Sequence, residues 1–587
     1  MFLTKLKNFL LTLAKMIGDW PYVLSHREQQ QLFLFDWDYV RDVLFEPGGA
    51  AALIGRFLVQ FFYSPAAAVA ITLLCLLGMI CIHRKQFPLI LVPVFFLMAS
   101  LADFQLYFDI VPACLLASGG FVLWCRSKRK FVAGIAIPVI LFFLAGSAAF
   151  LFGLCALAYG LGKATRETLK PAAVPLISAL LTGGIALRMN LVPELGYAFS
   201  PRFYYDISSG MPGFHLFFWF LFPAAVLLSA AVERLPNRKL SLGVSSALVL
   251  AALPFAFTLF TRQGKDGAFN LYKYEYYAVR GRWEELERIS RKRIEYPQTA
   301  NWYYLAKSYR GTLARDLMKQ RHNREYDLLF VPAGTGASTS AIPHVLLRMG
   351  CIAAAQNVAY NLMFATCGYN PTLLKMQADI ELMRGNYKVA GKYIGLLEKS
   401  FRYRSWARER RRFLDNDALV EEDPFLGRGR RAFPAGQAFT TPLYPMHAIY
   451  ALLRTNPSDK VAMEYGLSYL LLAKDIVNVA NFVEEFYGTP GLEELPVCAQ
   501  EALCFFSDYQ QNLAREKEYS HMDMDWCLAH GVDPQTVTRM HAFQEASLRA
   551  GGKAPQGSRG SYWYYLLYDD MMLSDSSAAT EDKTGIY

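Results

Sequence analysis

Ten cysteines in 587 residues include no pair spaced two apart and no metal-ligand spacing, so a zinc ribbon and a thioredoxin-type redox motif are both excluded. Five of them (Cys75, Cys81, Cys114, Cys125, Cys155) lie in apolar runs, where a thiol behaves as a small hydrophobe. The remaining five are an odd number, which argues against a full disulfide framework. Phosphate-cradling motifs are missing as well: Gly334-Thr335-Gly336 is not followed by Gly-Lys-Ser/Thr. No Ser/His/Asp or Cys/His constellation stands out, and no cofactor is expected. Charge itself is short, at 19% of residues against about a quarter in an ordinary soluble domain. It is also unevenly placed. Residues 1–262 hold 21 Lys and Arg against 12 Asp and Glu, whereas residues 263–587 hold 39 against 38. The net charge of +10 therefore belongs almost wholly to the first part. It sits in short clusters between apolar runs, which is the pattern of loop charges that orient membrane helices and not a nucleic-acid footprint.

A run of about 18 apolar residues is long enough to cross a bilayer. Such runs fall near 64–82, 87–104, 107–125, 170–188, 214–233 and 240–260. Residues 131–162 contain no charge at all, too long a stretch for one ordinary span. Gly146-Ser147 at its middle predicts two helices joined as a hairpin. A weaker segment, 5–24, has Leu6, Phe9, Leu10, Leu13 and Ile17 at helical spacing and is read as crossing; the alternative is a helix lying flat at the interface. It has no small-residue cleavage site of the signal-peptide kind. About nine spans result.

Basic residues then set the direction. Alternate loops, with Lys5 and Lys7, carry fourteen Lys and Arg, and the opposite loops carry only Arg27, Arg41, Arg56, Arg188 and Arg202. The richer side faces the cytoplasm. Followed along the chain, this puts residues 263–587 outside the cytoplasm, in the periplasm of a bacterium, with the spans in the inner membrane. Acidic residues show the reverse bias. Glu28, Asp36, Asp38, Asp42, Glu46, Asp103, Asp109, Glu194 and Asp206 all fall on or near the outer side. Acids contribute little to topology, so a solvated vestibule or a site is implied.

From 267 onward short amphipathic helices alternate with Gly and Pro. In Pro371–Ser400, Gly385 predicts a left-handed helix cap, with Tyr387 opening the next helix and Ala378 and Ala390 permitting close approach. Similar junctions occur at Gly281, Gly311 and Gly350, and a later pair of helices is expected from Asn456-Pro457 through Ala480. The spacing near 34 residues resembles that of tetratricopeptide repeats, which implies an α-solenoid with a protein partner on its surface. The predicted fold is thus all-α: a polytopic bundle over 1–262, helical repeats over 263–572, and a disordered tail over 573–587. Between 401 and 444 the period breaks in an arginine-rich stretch. It reads first as a solvated helix with compensated charge, and alternatively as an anion or lipid-headgroup contact. The aromatic run Tyr562–Tyr568 is expected to cap the last helices.

Candidate chemistry is concentrated in the first outer loop. Asp36-Trp37-Asp38, then Glu46-Pro47-Gly48-Gly49 and Arg56-Phe57-Leu58, resemble the acidic outer loop of multi-span glycosyltransferases that use polyprenyl-phosphate sugars. That resemblance implies Asp36 or Asp38 as base or metal ligand, with Arg202 and Asp206 as substrate-binding residues; the bland reading is an interfacial helix with solvated acids. His521, Asp523, Asp525, His530 and His541 form a His/Asp-rich stretch with no known ligand spacing, so no metal is expected there. Pro93, Pro112, Pro138 and Pro223 would suit the broken helices of a transporter, but no buried charge pair accompanies them. The residues Glu28 to Phe35, Pro47-Gly48-Gly49, Arg56 to Tyr63 and Asn301 to Arg310 resemble an uncharacterised family of multi-span Bacteroidota membrane proteins with a tetratricopeptide-like C-terminal domain. That likeness implies architecture and no activity, so an interaction protein in the envelope is the first expectation and glycosyl transfer the second. Membrane lipids are the other expected partner, and nucleic acid is not one.

Overall fold

The computed structural model describes residues 20–86, 88–101, 106–200, 215–235, 238–263, 268–290, 297–320, 324–330, 340–365, 370–433, 445–513, 519 and 521–569. The described chain is helical, with no β-strand. It divides into two compact units. The first comprises Met1–Tyr276, Met363–Ala378 and Lys388–Leu414, and the second Tyr277–Leu362, Asp379–Tyr387 and Asp415–Tyr587. A single cut near residue 262 therefore does not separate them.

In the first unit the apolar runs become helices at Pro65–Ile82, Leu91–Ser100, Ile110–Arg126, Lys130–Ala145, Ala148–Lys163, Arg166–Arg188, His215–Val232 and Arg238–Gln263. Residues 20–27 are helical, and the rest of the expected segment 5–24 lies outside the described residues. The uncharged stretch 131–162 breaks where expected: Gly146 takes φ +56 between two 16-residue helices. Small residues let helices close up. A Cβ on Gly160 would meet that of Ala172 at 2.4 Å, and one on Gly153 would meet the Leu176 backbone at 2.8 Å. Such contacts let the Ala148–Lys163 and Arg166–Arg188 backbones approach. Among the described residues two helices, Pro65–Ile82 and Arg166–Arg188, are long and apolar enough by length and composition to cross a membrane, and seven apolar helices are shorter.

In the second unit, the predicted glycine junctions are present. Gly281, Gly311, Gly350 and Gly385 all have positive φ, from +65 to +91, a conformation that β-carbons disfavour. Three of these helix ends are closed by an arginine from elsewhere in the unit. Arg348 donates to the Ser308 carbonyl at the end of Pro297–Tyr309 (2.9 Å). Arg428 donates to the Arg348 carbonyl beside Gly350 (3.0 Å). Arg430 donates to Leu382 and Met383 at the end of Pro371–Met383 (3.1 and 3.2 Å). The last turn of a helix leaves carbonyls without partners and a partial negative charge, and a guanidinium satisfies both. Arg428 and Arg430 come from the stretch read as solvated. Both are partly buried and paired with Asp459 and Asp417.

Among the described residues, Gly311 is not followed directly by a second α-helix. The chain folds back through a 3₁₀ turn, Leu317–Lys319, because Leu313 and Leu317 bury completely and Asp316 bonds to Lys307 on the preceding helix (2.7 Å). The later pair forms as Lys460–Leu472 and Ile476–Phe486, each N-capped by an aspartate, Asp459 or Asp475. Tyr562–Tyr568 packs as a terminal helix: Tyr562 and Tyr565 donate to the Leu471 and Leu472 carbonyls, and Trp563 donates to Glu501. The tail beyond 569 lies outside the described residues.

Candidate functional site

An apolar helix ending in seven consecutive polar residues would ordinarily release them to solvent. Here Ser25, His26, Arg27, Glu28, Gln29, Gln30 and Gln31 are all buried, none more than 7% exposed. Buried polar groups must be hydrogen-bonded, and five of these, His26, Arg27, Glu28, Gln29 and Gln31, reach segments distant in sequence. Arg27 clamps the 101–108 stretch through the Leu101 and Leu106 carbonyls (2.7 and 2.9 Å). Gln31 accepts from the Phe108 amide (3.0 Å) and donates to Asp109 (2.8 Å). His26 stands between Gln30 (2.8 Å) and Glu275 (2.6 Å). Tyr403 donates to Glu28 (2.6 Å), and Thr372 donates to Gln29. These bonds explain why residues 268–276, 363–378 and 388–414 belong to the first unit.

In front of this hub the first loop folds as two helices, Trp37–Leu44 and Gly49–Val59. The Pro47-Gly48-Gly49 turn joins them, with Gly48 at φ +85 donating its amide to the Phe143 carbonyl (3.0 Å) at the end of Lys130–Ala145. The second helix lies against Asp109 at Gly55, where any Cβ would meet the Asp109 carboxylate. Between the helices and the hub is a cavity of about 340 Å³, lined by Gln30, Gln31, Tyr39, Asp42, Glu46, Arg56 and Tyr107 among others. Arg56 donates to the Tyr39 hydroxyl (3.4 Å), which itself donates to the Leu32 carbonyl (3.2 Å). The wall so carries two carboxylates, a guanidinium, two tyrosines and two amides, a set suited to a hydroxyl-rich or phosphate-bearing ligand.

Neither carboxylate singled out in the sequence lines this cavity. Asp36 precedes the first helix and pairs with Lys399 (2.9 Å). Asp38 is exposed and pairs with Arg41 one turn on (3.3 Å). Asp42, on the first helix, and Glu46, two residues beyond its end, do line it; in the sequence they stood out only as part of the outer-side excess of acidic residues. Asp103, Arg202 and Asp206 lie outside the described residues. In the His/Asp-rich stretch, His521 pairs with Glu484, Asp523 caps the Met524–Ala529 helix and His530 stacks on Trp526. No group of three His, Cys, Asp or Glu side chains placed to hold a metal ion occurs among the described residues.

The second unit has a larger cavity, about 500 Å³, lined by Glu284, Glu287, Arg288, Tyr303, Lys307 and Arg310 among others. Its charges are largely spent on one another. Lys307, nearly buried, bonds to Glu287 and Asp316, and Arg310 also reaches Glu287. Burial pushes the Asp316 carboxyl up, but bonds from Lys307 and Lys319 outweigh it and hold it at about 2.

No curated protein and no solved structure matches the chain. A family model described as "Family of unknown function (DUF6057)" matches residues 16–569, and the chain belongs to that family.

Proposed function

We propose that this is a multi-span inner-membrane protein whose first extracytoplasmic loop binds a polar, lipid-linked substrate, as a glycosyltransferase of the polyprenyl-phosphate-sugar class does. The cavity lined by Asp42, Glu46, Arg56 and Tyr107 carries the reading, because it gathers a base and a phosphate-binding group beside apolar helices. Membrane placement is supported by apolar side chains that face outward. On Pro65–Ile82 the buried residues are Ala68, Thr72, Leu76 and Met79, while Leu73, Leu74 and Leu77 are exposed. Leu123, Ile135, Ile140 and Leu181 are likewise more than half exposed. In water such an apolar surface would be costly, and in lipid it is matched. The nine-span count is supported by the apolar runs, and the outward-facing loop by the fourteen-to-five division of basic residues.

In the reaction, an acceptor hydroxyl attacks the anomeric carbon of the donor sugar. Asp42 or Glu46 takes the hydroxyl proton, the bond from sugar to phosphate breaks, and Arg56 holds the departing polyprenyl phosphate. Arg202 and Asp206 stay in the proposal as further substrate contacts. The test is envelope glycan composition in strains carrying Asp42→Asn, Glu46→Gln or Arg56→Gln at normal protein level. Loss of one glycan in the deletion strain and in at least one carboxylate variant is expected. An unchanged glycan profile in the deletion strain refutes the transferase reading.

A second reading, an envelope interaction protein with a tetratricopeptide-like surface, is favoured by the helix pairs that turn at Gly350 and Gly385. It predicts intact glycans together with a specific protein recovered by cross-linking to the second unit.

A further inference from the structure

Residues 398–412 hold seven basic side chains and two acidic ones. Part of that charge is used internally: Glu398 binds Arg411, Asp36 binds Lys399, Arg410 lies over the Trp406 and Phe413 rings, and Arg404 donates through Nε alone to the Glu398 carbonyl (3.0 Å). The Arg404–Arg410 helix and the following 3₁₀ turn bury Ala407 and Phe413, with Tyr403 buried just ahead of them. Arg404, Arg408 and Arg412 recur at four-residue steps on the opposite, exposed side. The tether determines what this side faces. Tyr403 is anchored on Glu28 (2.6 Å), and the Lys399 carbonyl accepts from the Phe35 amide (2.7 Å). Phe401 packs on Phe61 (ring centroids 6.1 Å), and Arg402 sits over the Tyr63 ring (3.7 Å). Tyr63 is two residues before Pro65, where the 18-residue apolar helix begins. An arginine stripe distant in sequence is thereby held at the mouth of a candidate span. Beside it Phe57 and Phe401 pack on Phe61 and are themselves exposed, the kind of aromatic fringe found at bilayer interfaces.

We infer that Arg404, Arg408 and Arg412 form a docking face for the phosphate groups of anionic lipids in the leaflet entered by Pro65–Ile82. The inference rests on the membrane reading above and not on glycosyl transfer. Three observations support it: the excess positive charge, its attachment beside the entry of an apolar helix, and the exposed aromatics Phe57 and Phe401 packed there. Guanidinium groups suit phosphate oxygens because they offer paired donors. An arginine near an anionic surface contributes roughly a fivefold factor in binding. Three together give on the order of a hundredfold.

The test uses the full chain in lipid nanodiscs, made either of phosphatidylcholine alone or with phosphatidylglycerol added. Hydrogen exchange of residues 399–413 is expected to slow by at least tenfold in the anionic discs, and the effect is expected to vanish at high salt. The triple variant Arg404→Gln/Arg408→Gln/Arg412→Gln should exchange alike in both discs while the helices of the first unit keep their protection. Equal exchange of the unmodified chain in both discs overturns this inference and leaves the membrane reading standing. A chain that stays soluble and never enters discs overturns both. Equal slowing by inorganic phosphate in phosphatidylcholine discs also overturns it, because the ligand is then a soluble anion.

Discussion

Gly55→Ala is the sharpest test of how the first loop is built. Alanine in place of glycine within a helix ordinarily stabilises by about 0.5–1 kcal/mol, through lost backbone freedom in the unfolded chain. At this position the added Cβ would lie 2.2 Å from the Asp109 Oδ1 and 2.8 Å from the Asp109 Cα. The carboxylate can rotate, but doing so breaks its bond to Gln31; the Cα cannot move without the start of the Ile110–Arg126 helix. Overpacking against backbone costs about 1–3 kcal/mol, which exceeds the propensity gain, so a net loss of about 1–2 kcal/mol is expected. Gly184→Ala is the control. Gly184 is an exposed helix position with no heavy atom within 4 Å of its added Cβ, so this change should be neutral or mildly stabilising. Thermal unfolding of the full chain in detergent, followed by tryptophan fluorescence, should place Gly55→Ala a few degrees below the parent and Gly184→Ala at or above it. A Gly55→Ala protein that melts with the parent would refute the close approach of this helix to Asp109, and with it the shape of the cavity wall.

Other consequences can be checked separately. Gly385→Val should cost about 1–2 kcal/mol because φ is +74 there, whereas space is open; faster hydrogen exchange across 371–398 would register it. Arg430→Met strips two carbonyls of a charged partner and should cost about 1.5–3 kcal/mol in the same assay, with no change across 460–486. Asp316 is depressed to about 2 in the folded chain, so its contribution is fully present above the unfolded value near 3.9 and is lost as pH falls through about 2. The loss amounts to about 2 kcal/mol, and Asp316→Asn should show no such dependence between pH 4 and 2 when exchange across 297–320 is followed. Reporter fusions at Lys130 and Gly264 should be active on the cytoplasmic and the opposite side respectively; cytoplasmic activity at Gly264 would overturn the orientation.

Periodicity and punctuation carried most of the fold. Apolar runs bounded by charge marked the helices of the first unit, and Gly146-Ser147 marked the break in the longest of them, because a glycine with positive φ ends a helix. Gly281, Gly311, Gly350 and Gly385 were legible for a related reason: only a residue without a β-carbon takes positive φ cheaply at a helix end. These are local properties, set by residues within one turn of each other. The candidate site is only half local. The acid-rich first loop was visible as composition, but which carboxylates face the cavity depends on how Gly48 and Gly55 seat two helices against other helices of the first unit. Asp36 and Asp38 looked alike in sequence and differ in partner only because Lys399 is brought to the first of them. The burial of Ser25–Gln31 could not be read from seven polar letters, since polar residues after an apolar helix are usually solvated. Their partners at Leu101, Asp109, Glu275, Thr372 and Tyr403 are scattered over 300 residues. By itself, the sequence determined where most helices begin, turn and end, because those choices depend on neighbours in the chain; the 3₁₀ turn after Gly311, set by the burial of Leu313 and Leu317, is an exception. Tertiary structure alone decided which buried polar groups satisfy one another and which carboxylates meet in a cavity, because hydrogen bonds have a reach of about 3 Å and no regard for sequence distance.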